Sequence, residues 1–202
     1  MYVGRIITVG MSDGKPFIGY RVSSRSFPNR IAKIIGDKVQ IWPLDEEDMK
    51  RNPYIAYNCY RKSEKNTVLS NGSHTDPIFD ELEKGGDTKE AIRKVLEEMG
   101  YEKDSLNTPR IVGVIANGKG YLGVVRDNGC DVSEFDLTDN KCRIISTYEM
   151  CYPTDEEFDI NIKTADEGAK FVIDGGKFAE LELPVCSCVY FDGVAVCNPH
   201  VK

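Results

Sequence analysis

An α+β fold of antiparallel layers is what this 202-residue sequence predicts, and three observations predict it. About ten short runs carry the β-branched and aromatic composition of strands, separated by Gly, Asn and Asp turns. The helical patterns cluster between sets of strands and do not alternate with them one for one. No glycine-rich phosphate fingerprint follows any strand, which excludes Rossmann and P-loop sites.

Taken in order, residues 2–9 and 16–22 form the first predicted hairpin, turning at Ser12-Asp13-Gly14. Residues 39–44, 55–60 and 67–70 are short strand candidates. A brief helix is expected near Asp76-Pro77, with Ile78, Phe79 and Leu82 inward. Asp87-x-x-Glu90 then forms an approximate capping box. Behind it Ala91, Ile92, Val95, Leu96 and Met99 fall on one face of a 3.6-residue period, and Gly100 closes the helix. Residues 110–117, 120–126, 132–137 and 143–148 make an antiparallel meander with turns at Asn117-Gly118, Asp127-Asn128-Gly129 and Asp139-Asn140. Thr164-x-x-Glu167 opens a further helix carrying Ala169, Phe171, Val172 and Ile173, stopped by Gly175-Gly176. Residues 185–191 and 193–198 form a final pair of strands.

Hydrophobic residues at 41% and charged residues at 29% are the proportions of an ordinary soluble domain. A chain of this length buries about 70% of its unfolded surface, enough for one core without a staple, so residues 1–202 are read as a single domain. No apolar run approaches the ~20 residues that span a bilayer. Met1-Tyr2-Val3-Gly4-Arg5 lacks the apolar stretch and cleavage site of a signal peptide, so the expected location is cytoplasmic, with no membrane partner. The net charge of −7 is uneven: within the first 30 residues Arg5, Lys15, Arg21, Arg25 and Arg30 face only Asp13. An acidic protein with one local basic cluster suits a small anion better than a nucleic acid, whose binding needs many phosphate contacts.

The seven cysteines have no regular spacing, which argues for reduced thiols. Cys186-x-Cys188 with Cys197 and His200 offers soft zinc ligands, but the segment reads as a strand whose alternation puts both cysteines on one face as small buried groups. No metal is expected.

Four polar segments remain: Tyr20-Arg21-Val22-Ser23-Ser24-Arg25-Ser26-Phe27-Pro28-Asn29-Arg30, Arg51-Asn52-Pro53-Tyr54-Ile55-Ala56-Tyr57-Asn58-Cys59, Ser70-Asn71-Gly72-Ser73-His74-Thr75-Asp76, and Tyr101-Glu102-Lys103-Asp104 with Leu106-Asn107-Thr108-Pro109-Arg110. The arginines and serines of the first are suited to cradling a phosphate. These four motifs, in this order, resemble the archaeal-type IMP cyclohydrolases over essentially the whole chain, least after about residue 183.

The resemblance implies a four-layer αββα sandwich of two antiparallel sheets flanked by helices, like that of N-terminal-nucleophile hydrolases. It implies closure of 5-formamidoimidazole-4-carboxamide ribotide to IMP with loss of water, without cofactor or metal, in a homo-oligomer. Its catalytic residues are expected at Arg21, Tyr57 and Glu102. Substrate contacts are expected from Ser23, Ser24, Arg25, Asn29 and Arg30, from Asn58, Asn71 and Ser73, and from Lys103, Asn107 and Arg110. Tyr2 follows Met1, so an acyl-enzyme route through the terminus is not expected. His74 is placed as a hydrogen-bonding loop residue with an acid–base role as the other possibility. The alternative from another class is a non-catalytic purine-nucleotide sensor, which would keep the arginine cradle and dispense with Tyr57 and Glu102.

Overall fold

The computed structural model describes residues 1–201. The first hairpin is formed by β1 (Ile6–Ser12) and β2 (Lys15–Ser23), with Ser12 opposite Lys15. Asp13 and Gly14 both take positive φ in the turn, as a two-residue hairpin connection requires. β3 (Arg30–Ile35), β4 (Lys38–Pro43), the short helix α1 (Glu47–Arg51), a 3₁₀ turn at Pro53–Ile55, β5 (Tyr57–Lys62) and β6 (Asn66–Ser70) follow. Two helices, α2 (Thr75–Glu83) and α3 (Thr88–Met99), lead into the meander β7 (Arg110–Ala116), β8 (Lys119–Arg126), β9 (Gly129–Asp136) and β10 (Lys141–Ser146). β11 (Phe158–Asp159), α4 (Ala165–Asp174), a second 3₁₀ segment at Gly176–Glu180, β12 (Pro184–Tyr190) and β13 (Val194–Cys197) complete the described chain.

Every strand pair is antiparallel. One sheet has the order β11-β10-β1-β2-β12-β13 and the other β3-β4-β5-β6-β7-β8-β9. Alternation along each strand sorts side chains between two faces. Ile18, Tyr20 and Val22 of β2 meet Ile41, Leu69, Ile111 and Leu122 in the core between the sheets. Phe17 of the same strand points the other way, onto Val172 of α4. On the far side Ile78 and Phe79 of α2 and Ile92 and Leu96 of α3 cover Val112 and Val114 of β7. The order is helices, seven-stranded sheet, six-stranded sheet, helix, consistent with an αββα sandwich.

Both capped helices begin where the sequence places them. Asp87 accepts from the Glu90 amide at 2.8 Å, and Thr164 from the Glu167 amide at 3.2 Å. Cys186 and Cys188 are fully buried in the inter-sheet core, as the strand reading requires. The differences lie in elements without periodicity. β3 was not expected: it is an edge strand whose second half, Lys33, Ile34 and Ile35, is exposed, so no alternation marks it. α1 buries none of its residues and leaves no apolar stripe to read. The helices do not form one cluster, because α4 lies on the opposite face from α2 and α3.

The register gathers one end of the sandwich. Ile6 at the start of β1 stands beside Arg21 near the end of β2 and Ser146 at the end of β10. In the other sheet the start of β3, the start of β5, the end of β6 and the start of β7 meet at one end.

Candidate active site

A cleft opens at that end, lined by Arg5, Ser24, Ser26, Arg30, Asn52, Glu102, Asp104 and Ser105, with aromatic walls from Tyr2, Phe27, Tyr54 and Tyr148. Its floor is built from the loop behind α3. Gly100 ends the helix with φ at 62°. Asp104 then ties the loop into a knot, accepting from the Leu106 and Thr108 amides at 3.1 and 2.9 Å and from the Thr108 hydroxyl at 2.7 Å. The Glu102 amide donates to the Thr108 carbonyl at 2.9 Å. The Glu102 side chain is thereby set inward and is only 2% exposed.

Two arginines flank it. Arg5 Nη2 stands 3.6 Å from Glu102 Oε2, and Arg110 Nη1 stands 3.6 Å from Glu102 Oε1. Both separations exceed a charge-assisted hydrogen bond, which runs about 2.7–2.9 Å. Glu102 Oε1 and Arg110 Nη1 have no hydrogen-bond partner. Burial is the dominant influence on the carboxyl: it outweighs Arg5 and Arg110 and pushes Glu102 up to about 7. At neutral pH this buried acid stands between its two protonation states.

Arg110 is aimed by its neighbours. Asn71 donates to the Pro109 carbonyl at 3.0 Å and accepts from the Ile111 amide at 2.7 Å, clamping the backbone on both sides. Arg110 Nε donates to the Gly100 carbonyl at 3.0 Å. Gly72 packs directly under the charges. A Cβ there would lie 2.9 Å from Arg110 Nη1, 3.0 Å from Glu102 Oε1 and 3.2 Å from His74 Nδ1. Any side chain there would push these three groups aside.

Tyr57 and Tyr20 join the sheets across the core, their hydroxyls 2.6 Å apart. Burial pushes the Tyr57 phenol up to about 12, against the opposing influence of Arg30 and Arg5. It is a proton donor, not a phenolate, at neutral pH. Arg30 is 3% exposed and spends its Nε on the Phe27 carbonyl at 3.1 Å.

The expected site residues divide. Glu102, Arg30 and Ser24 come together at the cleft, with Arg110 behind Glu102 and Tyr57 buried nearby; Asn71 supports Arg110 without reaching the cleft. Arg25 stands at the mouth, 4.4 Å over the ring of Tyr2. Arg21 lies elsewhere: alternation on β2 turns it to the α4 face, away from Tyr20 and Tyr57. Its five N–H groups are all used there, on the Ser23 hydroxyl and on the carbonyls of Ile173, Phe178, Leu181 and Glu182. Ser23 goes with it, its hydroxyl spent on Arg21. Asn58 is also held elsewhere, bonded to Gln40 and Asp76 at the start of α2. Asn29 lines a separate apolar groove beside Leu183 and Pro184. Ser73, Lys103 and Asn107 are exposed and outside the cleft lining.

Arg5 and Tyr20 were not named as site residues from the sequence, Arg5 entering only through the basic cluster and Tyr20 only as the first residue of the first polar segment. Arg5 had one available signal, a lone charge inside the apolar run Val3-Gly4-Arg5-Ile6-Ile7. Tyr20 carried none, since an inward tyrosine on a strand is ordinary core.

Residues 2–194 match the family model described as IMP cyclohydrolase-like protein. The chain is 44% identical to an IMP cyclohydrolase of Methanocella arvoryzae over 93% of this chain and 90% of the relative. It is 44% identical to one of Methanococcus maripaludis over 92% of each chain, and 42% identical to one of Methanosphaera stadtmanae over 95% of each.

Proposed function

Because this chain belongs to the archaeal IMP cyclohydrolase family and is an enzyme, we propose that its cleft closes 5-formamidoimidazole-4-carboxamide ribotide to IMP with release of water. This is the ring closure that ends de novo purine synthesis. The single observation that carries the reading is Glu102: a buried carboxyl near neutral pKa, set between two arginines that it does not fully neutralise.

The reaction asks for three things. The carboxamide nitrogen is a weak nucleophile, so its proton must leave as it attacks the formyl carbon. The formyl oxygen gains negative charge and must then depart as water. The attack is intramolecular, so holding both substituents in the plane of the imidazole ring supplies much of the acceleration. In this reading Glu102 takes the carboxamide proton, and its raised proton affinity makes it a better base than an exposed glutamate. Arg5, in the place the resemblance gave to Arg21, supplies a fixed positive charge facing the developing oxyanion. Tyr57, kept neutral and aligned by Tyr20, donates to the formyl oxygen and to the leaving hydroxyl. Arg30, with Ser24 and Ser26, is placed for the phosphate, with Arg25 at the entrance. The rings of Phe27, Tyr54 and Tyr148 are available to flank the base. None of these steps calls on a metal or a redox group.

The same reading takes the layered sheets as N-terminal-nucleophile-hydrolase-like and the enzyme as a cytoplasmic homo-oligomer. Among the described residues no helix is long and apolar enough to cross a membrane.

The test is an absorbance assay of IMP formation from the formylated ribotide by purified protein. Turnover should survive chelator treatment. Glu102→Gln should lower it about 100- to 10,000-fold, the range of general acid–base catalysis, while IMP still binds. Tight IMP binding without turnover in the wild type would instead favour a nucleotide sensor.

A further inference from the structure

Among the described residues, six buried side-chain polar atoms lack a hydrogen-bond partner, and three of them are His74 Nδ1, Glu102 Oε1 and Arg110 Nη1. All three lie within 3.2 Å of the point where Gly72 would carry a Cβ. A buried polar atom left unpaired destabilises the fold, so three at one place ask for a reason beyond folding.

The chemistry of each atom is defined. His74 Nε2 contacts the Ile111 carbonyl at 2.9 Å. A carbonyl only accepts, so the ring proton is on Nε2 and Nδ1 presents a lone pair. Burial, reinforced by Arg110, pushes His74 down to about 3, so the ring is neutral throughout the working range. Arg110 Nη1 is a donor with two candidate acceptors beside it, the Glu102 carboxylate and this imidazole nitrogen.

We propose that His74 is a positioning residue: its Nδ1 lone pair draws the Arg110 Nη1 group toward the ring and so keeps Arg110 from closing on Glu102 Oε1 and locking Glu102 in its ionised form. Full capture of Arg110 would lower the proton affinity of Glu102 and weaken it as a base. The other charges that face Glu102 are Arg5 and Arg30, which also favour the carboxylate, and Asp104, which opposes it. None of these three depends on the His74 ring. The inference rests on the reading of Glu102 as proton acceptor, but its test does not require turnover.

The experiment is a ¹³C NMR titration of the Glu102 side-chain carboxyl in glutamate-labelled protein, assigned by the signal lost in Glu102→Gln. Two variants separate the functions of the ring. His74→Asn keeps an acceptor near the Nδ1 position and gives up the Ile111 bond. His74→Gln keeps a donor for Ile111 and gives up the Nδ1 acceptor. The expected midpoint is near 7 in the wild type, little changed in His74→Asn, and lower by about one pH unit in His74→Gln, a tenfold loss of proton affinity. The acid limb of the turnover profile should move by the same amount. Equal midpoints in all three proteins would overturn the proposal, as would a larger displacement in His74→Asn than in His74→Gln, the order that a purely structural role through Ile111 produces. A displaced midpoint in protein that forms no IMP would leave this inference standing and remove the catalytic reading instead.

Discussion

Arg21 near the end of β2 and Arg5 just before β1 lie a residue apart in register, Arg21 fully buried and Arg5 half-buried, and they differ in everything that matters for chemistry. Arg21 faces α4 and donates all five N–H groups to protein oxygens. Burial lowers its pKa to about 10, so it keeps its charge at neutral pH and ties β2 to the end of α4 and the segment behind it. Arg5 faces the cleft, 3.6 Å from a carboxylate with which it makes no short hydrogen bond. A satisfied buried charge holds structure together. An incompletely satisfied one is available to a substrate. The same contrast separates Asn58, enclosed in its surface network, from Glu102, Arg110 and His74, each with an atom left over.

Substitutions sharpen this comparison. The largest loss of stability should come from Arg21→Met, which leaves four carbonyls and a hydroxyl without their donor and should remove more than about 3 kcal/mol. Denaturant titration measures that, and turnover per folded molecule should stay within about twofold of the wild type, since Arg21 touches no part of the cleft. Arg5→Met should do the reverse: turnover falls about 100-fold, the value of one charge-stabilising donor, with little change in unfolding midpoint. Arg5 favours the ionised form of Glu102, so its removal should also move the acid limb of the pH profile upward, above 7. Next, Gly72→Ala drives a methyl into the His74, Glu102 and Arg110 atoms. A strained insertion of about 1–3 kcal/mol should separate those groups and reduce turnover about tenfold or more, measured beside a thermal melt. The smallest effect belongs to Asn58→Ala, which should leave turnover unchanged and alter stability by less than about 1 kcal/mol, because it disturbs only a partly exposed network.

How legible the molecule was in its sequence follows from the same physics. Caps and amphipathic stripes are local, so α3 and α4 could be placed from Asp87, Gly100, Thr164 and Gly175. Two-residue turns are local too, and Asn117-Gly118 fell where β7 turns into β8 with Ala116 opposite Lys119. β3 and α1 were invisible because neither buries a periodic face. In the site, Glu102, Arg30 and Arg110 stood inside dense polar segments that a strand-and-helix core does not need. Arg21 stood in one as well. What separates it from Arg5 is the set of carbonyls from α4 and the segment after it, more than 150 residues away in the chain. No local pattern encodes that difference. Ser23, two residues on in β2, turns to the same face as Arg21 and accepts its Nε–H.

The central claim is that Glu102 is held at a price in stability because the site needs its raised proton affinity. An acid whose folded pKa lies above its ordinary value favours the folded state when protonated; that advantage is lost as pH rises from about 4.5 to about 7. Above that window the ionised side chain destabilises the fold by about 3 kcal/mol. The direct measurement is therefore the unfolding free energy of wild type and Glu102→Gln at pH 5 and pH 8, taken together with turnover. The account predicts that Glu102→Gln is the more stable protein at pH 8 by up to about 3 kcal/mol, that the gap closes toward pH 5, and that the stabilised variant has lost IMP formation. A variant equally stable or less stable at pH 8, or one that is stabilised and still turns over at the wild-type rate, would contradict it.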